Sequence, residues 1–212
     1  METGGLSVKL PLPTKKEGQN MTNVTIIGAS GSLGRVATQT LLNETTVNLT
    51  LMSRSIRSNQ DPRVTTIAAS VFDKDALENA VRDADLVFVA LSGDLPAMVK
   101  DIIAAMDATA RKRIIFIASY GIYGELPGQN GQVQAVLRPY RQAADILENS
   151  DLDYTILRPG WFDNSSDTSY ELIPKGEAIY GNDISRKAIA DFVKEVAENP
   201  SSHVKANYGM VR

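Results

Sequence analysis

The sequence predicts an α/β fold: one doubly wound, mostly parallel sheet between two layers of helices, in a single three-layer domain. Three observations predict it. Short β-rich runs alternate with longer helical stretches from residue 22 onward. Two of the runs, residues 85–91 and 113–119, are apolar almost throughout, as strands covered on both faces must be. The first strand also passes straight into a glycine-rich turn and a helix. Such alternation implies βαβ units with right-handed crossovers and therefore a parallel sheet.

Taken in order, residues 24–27 (VTII) form the first strand and 33–42 a helix. Residues 48–52 and 64–67 are the second and third strands. A short helix covers 74–81, with Asp73 as its N-cap. The fourth strand is 85–91, and a helix with Pro96 in its first turn covers 96–107. The fifth strand is 113–119. Residues 132–148 read as largely helical, with Pro139 breaking or kinking the helix. A sixth strand at 153–157, a helix at 184–198 and a last strand at 206–211 complete the pattern, and no internal repeat interrupts it. Residues 1–20, rich in Gly, Pro and Lys, stand apart from the domain at 21–212. They read as a flexible N-terminal arm or leader; the alternative is an ordered segment packed on the body or on a second subunit.

Composition narrows the function classes. Net charge is −3 across 212 residues with no extended basic stretch, so a nucleic-acid surface is not expected. The absence of cysteine removes disulfides, thiolate nucleophiles and Cys-ligated zinc, and fits a cytoplasmic protein. A single histidine, His203, leaves no material for a histidine-based triad or a multi-histidine metal site, and no metal is expected. No apolar run approaches the ~20 residues that span a bilayer. A small-molecule substrate, with the chain as a monomer or homodimer, is the expectation that remains.

The turn itself reads Gly28-Ala-Ser-Gly31-Ser-Leu-Gly34. Its placement between a first strand and a first helix points to a dinucleotide site, although the spacing is GxxGxxG and not the GxGxxG of many dehydrogenases. Gly28 and Gly31 let the backbone turn sharply and approach a pyrophosphate, and Gly34 lets the helix pack on the strand. The free N–H groups and positive dipole end of that helix favour phosphate. Gly28, Ser30, Gly31, Ser32, Leu33 and Gly34 are accordingly the expected cofactor contacts. At the end of strand two, NAD-selective domains carry an acid for the ribose hydroxyls. Here Ser53 and Arg54 occupy that place. An acid repels the extra phosphate of NADP, whereas a guanidinium holds it by paired, charge-assisted hydrogen bonds. NADP(H) is therefore favoured over NAD(H), with Arg57 assisting.

With the turn in place the chain resembles the short-chain dehydrogenase/reductase superfamily, in particular its atypical branch of NAD(P)-binding, NmrA-like proteins. The resemblance runs from Thr22 to Arg212. It rests on TIIGASGSLGR at the start, MSRS after strand two, VFVALSG at strand four, IIFIASYGIYG at strand five and LDYTILRPGWF at strand six. It implies a Rossmann fold. It also places Phe72 and Asp73 beside the adenine, Leu91 and Ser92 at the nicotinamide ribose, and Pro159 and Gly160 over the nicotinamide side. Trp161 and Phe162 either line an aromatic substrate slot or simply cover the core. Residues 163–170 look like a mobile flap, and Ser185 and Arg186 open a helix that supports the pocket.

The superfamily's usual active site is a serine followed by a Tyr and Lys in YxxxK. Ser119 stands where the serine belongs, but YxxxK is missing: no lysine lies between Arg113 and Leu172. A tyrosine without that lysine is a weak base at neutral pH. Atypical relatives still reduce flavins, quinones or similar acceptors, which take hydride with little help, and others only bind NADP(H) as regulators. Ser119, Tyr123 and Tyr140 are the candidate catalytic residues, with Tyr120 beside them; Arg138 and Arg141 read as solvated helix charges. The expected function is NADP(H)-dependent reduction of a small acceptor. The alternatives are an NADP(H)-sensing regulator and, further off, a sugar epimerase or dehydratase.

Overall fold

Because successive side chains of a strand point to opposite faces, a sheet buried on both sides needs apolar residues at every position. The central strands meet that demand. In a computed structural model, which describes residues 22–212, the order of elements is β1 (Asn23–Ile27), α1 (Ser32–Glu44), β2 (Asn48–Met52), β3 (Val64–Ile67), α2 (Lys74–Val81), β4 (Leu86–Val89), α3 (Leu95–Ala108), β5 (Arg113–Ile117), α4 (Arg138–Glu148), β6 (Asp153–Pro159), β7 (Trp161–Asp163), β8 (Glu171–Pro174), β9 (Asp183–Ser185), α5 (Arg186–Glu198) and β10 (Ala206–Val211). The N-terminal arm expected at 1–20 lies outside the described residues.

The main sheet runs β3-β2-β1-β4-β5-β6-β10-β8. Every pairing is parallel except β10 with β8. Leu86 and Phe88 of β4, with Ile115 and Ile117 of β5, face the core under α1 and α5. Val87, Val89, Ile114 and Phe116 face the opposite core, under α2, α3 and α4. The sheet thus carries helices on both faces, as the apolar runs predict. Strand order reverses between β1 and β4, and that switch point opens a crevice at the strands' carboxyl ends.

Three elements depart from the sequence reading. Pro139 does not kink a helix begun at 132; it sits in the first turn of α4, where its missing N–H costs nothing, and only a turn of 3₁₀ helix at Ala135–Leu137 precedes it. Residues 183–185 form β9, paired with β7, so the last helix begins at Arg186. Ser185 caps it by accepting from the Ala188 N–H at 2.9 Å. The edge strand β8 occupies residues to which the sequence reading assigns no element.

Candidate functional site

The turn after β1 is held open by its backbone. Gly28 has φ +93°, and its N–H donates to the Met52 carbonyl at 2.9 Å, which fixes the turn against the end of β2. A Cβ on Gly34 would lie 2.4 Å from the Gly28 carbonyl oxygen, so α1 can dock on the turn only with glycine there. Gly31 is the N-cap of α1 and offers no capping side chain, and no acid stands in the helix's first turn. The helix therefore begins with free N–H groups and an uncompensated positive dipole end, a ready seat for an anion.

On one side of the turn lies a cleft of about 240 Å³, lined among others by Gly28, Ser30, Arg54, Phe72 and Ser70. Ser53 also lines it, and its hydroxyl meets that of Ser30 at 2.5 Å; Ser30 in turn lies 3.1 Å from Ser55 Oγ. Arg35 and Arg57 border an adjoining hollow with Ser30 and Ser55. Arg54 forms no ion pair with any carboxylate among the described residues. Phe72 is 52% exposed, an open apolar face at the cleft's rim. Asp73 caps α2, one carboxylate oxygen accepting from the Ala76 N–H at 3.1 Å.

A second cleft, of about 340 Å³, shares Gly31, Leu91 and Ser92 with the first and continues along Ser32, Leu33 and Gly34 to Tyr140 and Phe162. The two form one groove across the switch point. Tyr140, in the first turn of α4, is therefore brought to the glycine turn by the proline that left its direction open in the sequence. Trp161 is 70% exposed beside the groove's mouth, whereas Phe162 lines it.

Other candidates are not brought together with these. Ser119 donates to the Tyr120 carbonyl at 3.2 Å, and it is the neighbouring Ala118 that lines the groove. Pro159 and Gly160 are buried at the end of β6, where the Pro159 carbonyl accepts from the Tyr120 N–H and the Gly160 N–H donates to the Met210 carbonyl. Tyr123 is a correction. Its side chain turns away from the groove because the chain reverses at Gly121 and Gly124, both at positive φ. Its hydroxyl accepts from Asn207 Nδ2 at 2.9 Å, and Arg141 and Lys175 each lie 4.5 Å from its ring centre. Burial, reinforced by the Glu148 carboxylate, pushes the phenol's pKa well above its usual value.

Two arginine centres behind the groove had no signal in the sequence. Arg158, fully buried, pairs with Glu125 at 2.5 Å and donates to Asn207 Oδ1 at 2.9 Å. Arg212, in the last position of the chain, pairs with Asp163 at 2.7 Å, Asp183 at 2.6 Å and Asp167 at 3.2 Å. Residues 163–170, read as a flap, are thus tied to the C-terminus, and Ser185 Oγ donates to the Asp167 carbonyl.

The tie is pH-dependent. The hydrogen bonds of Ser165 to Asp163 and of Ser169 to Asp167, with Arg212 adding attraction, hold both carboxyls below their ordinary value of 3.8. Depressed folded-state values mean that the tie is complete above the ordinary value and lost as pH falls through the lower, folded ones. Amide hydrogen exchange over 163–170 is expected to be slow at pH 5, once corrected for intrinsic rates, and to gain openings only below about 3.8. Protection over 163–170 that stays at its pH 5 level down to the pH at which the whole domain unfolds would remove the tie.

A doubly wound sheet with a glycine-rich βα turn at its switch point defines a dinucleotide-binding Rossmann protein. The comparisons agree: residues 28–200 match the NAD(P)H-binding family model, and the chain belongs to that family. The resemblance to atypical short-chain dehydrogenases/reductases stands with this result. A Rossmann-fold NAD(P)-binding protein from Shigella flexneri is 33% identical, over 91% of this chain and 94% of that one, with a TM-score of 0.80. A short-chain dehydrogenase/reductase from Veillonella parvula in complex with NADP is 28% identical over 90% and 94% of the two chains, with a TM-score of 0.83. An anaerobillin reductase from Escherichia coli O157:H7 shares the fold at 20% identity, over 90% and 97%, with a TM-score of 0.74. No curated protein matches. Among the described residues no helix is long and apolar enough to cross a membrane, and no cluster of acids and histidine has the makings of a metal site.

Proposed function

We propose that the protein is an NADP(H)-dependent oxidoreductase of the atypical, NmrA-like kind that reduces a small, flat, readily reduced acceptor such as a flavin or quinone. The observation that carries this reading is the continuity of the two clefts across Gly31, Leu91 and Ser92. The first cleft offers Arg54 and a serine cluster, and no carboxylate, where an adenosine ribose would lie. The second offers a tyrosine hydroxyl and an aromatic wall where a nicotinamide would end. The bound dinucleotide would supply the hydride. The chain's own residues would orient the acceptor against Phe162 and deliver a proton from Tyr140 or from water. Asp73, its second carboxylate oxygen free of the helix cap, would serve the adenine amino group. A cytoplasmic location and a monomeric or homodimeric state belong to the same proposal. The NADP complex of the Veillonella parvula relative supports the choice of cofactor.

Removing a charge-assisted contact to phosphate costs about 1.5–3 kcal/mol. Arg54→Ala is therefore expected to weaken NADPH roughly ten- to hundredfold in a binding titration while NADH changes by less than about threefold. Equal losses for both would remove the NADP preference. Acceptor-dependent oxidation of NADPH across a panel of flavins and quinones tests the reaction. A second reading, an NADP(H)-sensing regulator without turnover, is favoured by one fact: with Ser119 bonded locally and the Tyr123 hydroxyl bonded to Asn207, Tyr140 is the single candidate phenol lining the groove among the described residues. Tight NADPH binding with no oxidation by any acceptor in the panel would select it.

A further inference from the structure

The other cations of α5, and Arg212 beside it, have carboxylate partners. Lys187 pairs with Glu44 and Asp191, Lys194 with the same two, and Arg212 with three aspartates. Arg186, half-buried at the start of α5, has none among the described residues. Its Nε donates to Ser32 Oγ at 3.1 Å, and its Nη1 donates to the Asp163 carbonyl at 3.1 Å and Asn164 Oδ1 at 2.9 Å. Its guanidinium carbon lies 5.0 Å from the centre of the Phe162 ring. All four partners are neutral, because the Asp163 carboxylate is taken by Arg212.

Ser32 is the first residue of α1, the helix that starts with neither a capping side chain nor an acid. The structure therefore sets a guanidinium beside a positive helix end with no carboxylate of the described residues between them. Like charges brought together in a partly desolvated place are unfavourable unless a negative group joins them. The geometry points to Arg186 as an anion-holding arm of the cofactor site. It pairs with the pyrophosphate that lies at the start of α1, while Nη1 keeps Asp163 and Asn164 and the guanidinium face keeps Phe162.

The inference rests on the dinucleotide reading above and deepens it. One side chain links the cofactor's centre to the wall of the second cleft, so the acceptor slot is set by the same residue that senses the phosphates. Arg186 lies away from the serine cluster at the adenosine end, so it does not choose between NADP and NAD. It differs in this from Arg54.

That contrast supplies the test, by calorimetric titration with three probes: NADPH, NADH and adenosine 2′-monophosphate, which keeps the adenine, ribose and 2′-phosphate but has no pyrophosphate. Arg186→Met is expected to weaken NADPH and NADH alike by about tenfold and to leave the monophosphate within about twofold. Arg54→Ala is expected to weaken NADPH and the monophosphate and spare NADH. Arg186→Lys, which keeps the charge, should recover most of the loss. If Arg186→Met binds NADPH like the parent, the arm does not hold phosphate and the inference falls while the cofactor reading stands. A parent protein that binds neither dinucleotide overturns that reading and this inference together.

Discussion

Replacing Glu125 with alanine is expected to cost about 3–5 kcal/mol of folding stability, on the order of 10 °C in the melting midpoint of a domain this size. The loss comes from what remains. Arg158 has no exposed side-chain surface, and Glu125 is its only charged partner among the described residues. The other contacts of that guanidinium are neutral, the Asn207 amide oxygen and the Ile173 carbonyl. Without Glu125 a cation stays buried with no counter-charge, and the N–H groups of Gly121 and Tyr123 lose their acceptors as well. Glu125→Gln keeps an acceptor for part of this set and should fall between alanine and the parent. The exposed Lys74–Glu78 pair is the contrasting case, since Glu78→Ala should cost no more than about 0.5 kcal/mol. Urea unfolding of the three variants checks the order. A loss below about 1 kcal/mol for Glu125→Ala would mean that water reaches Arg158.

The position of this pair explains why part of the site was hidden in the sequence. Arg158 and Glu125 are separated by 33 residues, and Arg212 reaches Asp163 across 49. Neither distance leaves a local pattern, so the RPG segment was legible only as a turn over the nicotinamide and residues 163–170 only as polar. The three-residue strands β7 and β9 escaped for the same reason, since each is defined by its pairing with the other. The strands β2, β3 and β10 and the helix α2 were legible to the residue, because apolar periodicity and a capping aspartate are local signals.

The groove divides the same way. The half beside Arg54 and Phe72 is built from a strand–turn–helix junction and the residues just past β2 and β4, where spacing and residue type carry the message. Ala69, Ser70, Val71 and Met98 line it too, but small and apolar types past β3 and on α3 announce nothing. The half beside Tyr140 and Phe162 depends on where loops turn. Gly121 and Gly124 send Tyr123 away from the groove, and Pro139, read as a disruption of a helix, founds one and delivers Tyr140. A tyrosine's candidacy was therefore decided by backbone reversals that the tyrosines themselves did not signal.

Gly28→Ala is expected to abolish measurable NADPH binding, a loss of at least about a hundredfold, and to destabilise the fold by about 1–3 kcal/mol. The residue holds φ +93°, and a Cβ there would lie 2.2 Å from the Ala90 carbonyl oxygen and 3.0 Å from its carbon. These are backbone atoms at the end of β4, so no rotamer change relieves the clash. Either the turn lifts from the sheet or β4 shifts, and both movements displace the start of α1 relative to Leu91 and Ser92. Gly31→Ala separates the two consequences. Gly31 has an ordinary φ of −69°, and an added Cβ would meet only the Gly28 carbonyl oxygen, at 3.1 Å. The empty protein should hardly notice that methyl, whereas a pyrophosphate approaching the helix start should. Thermal melts with and without NADPH distinguish the outcomes: Gly28→Ala lowers the midpoint of the free protein and removes the shift on adding cofactor, and Gly31→Ala removes only the shift. A Gly28→Ala variant that keeps both its midpoint and its shift would mean that the close approach of turn to β4 is not what shapes the phosphate seat.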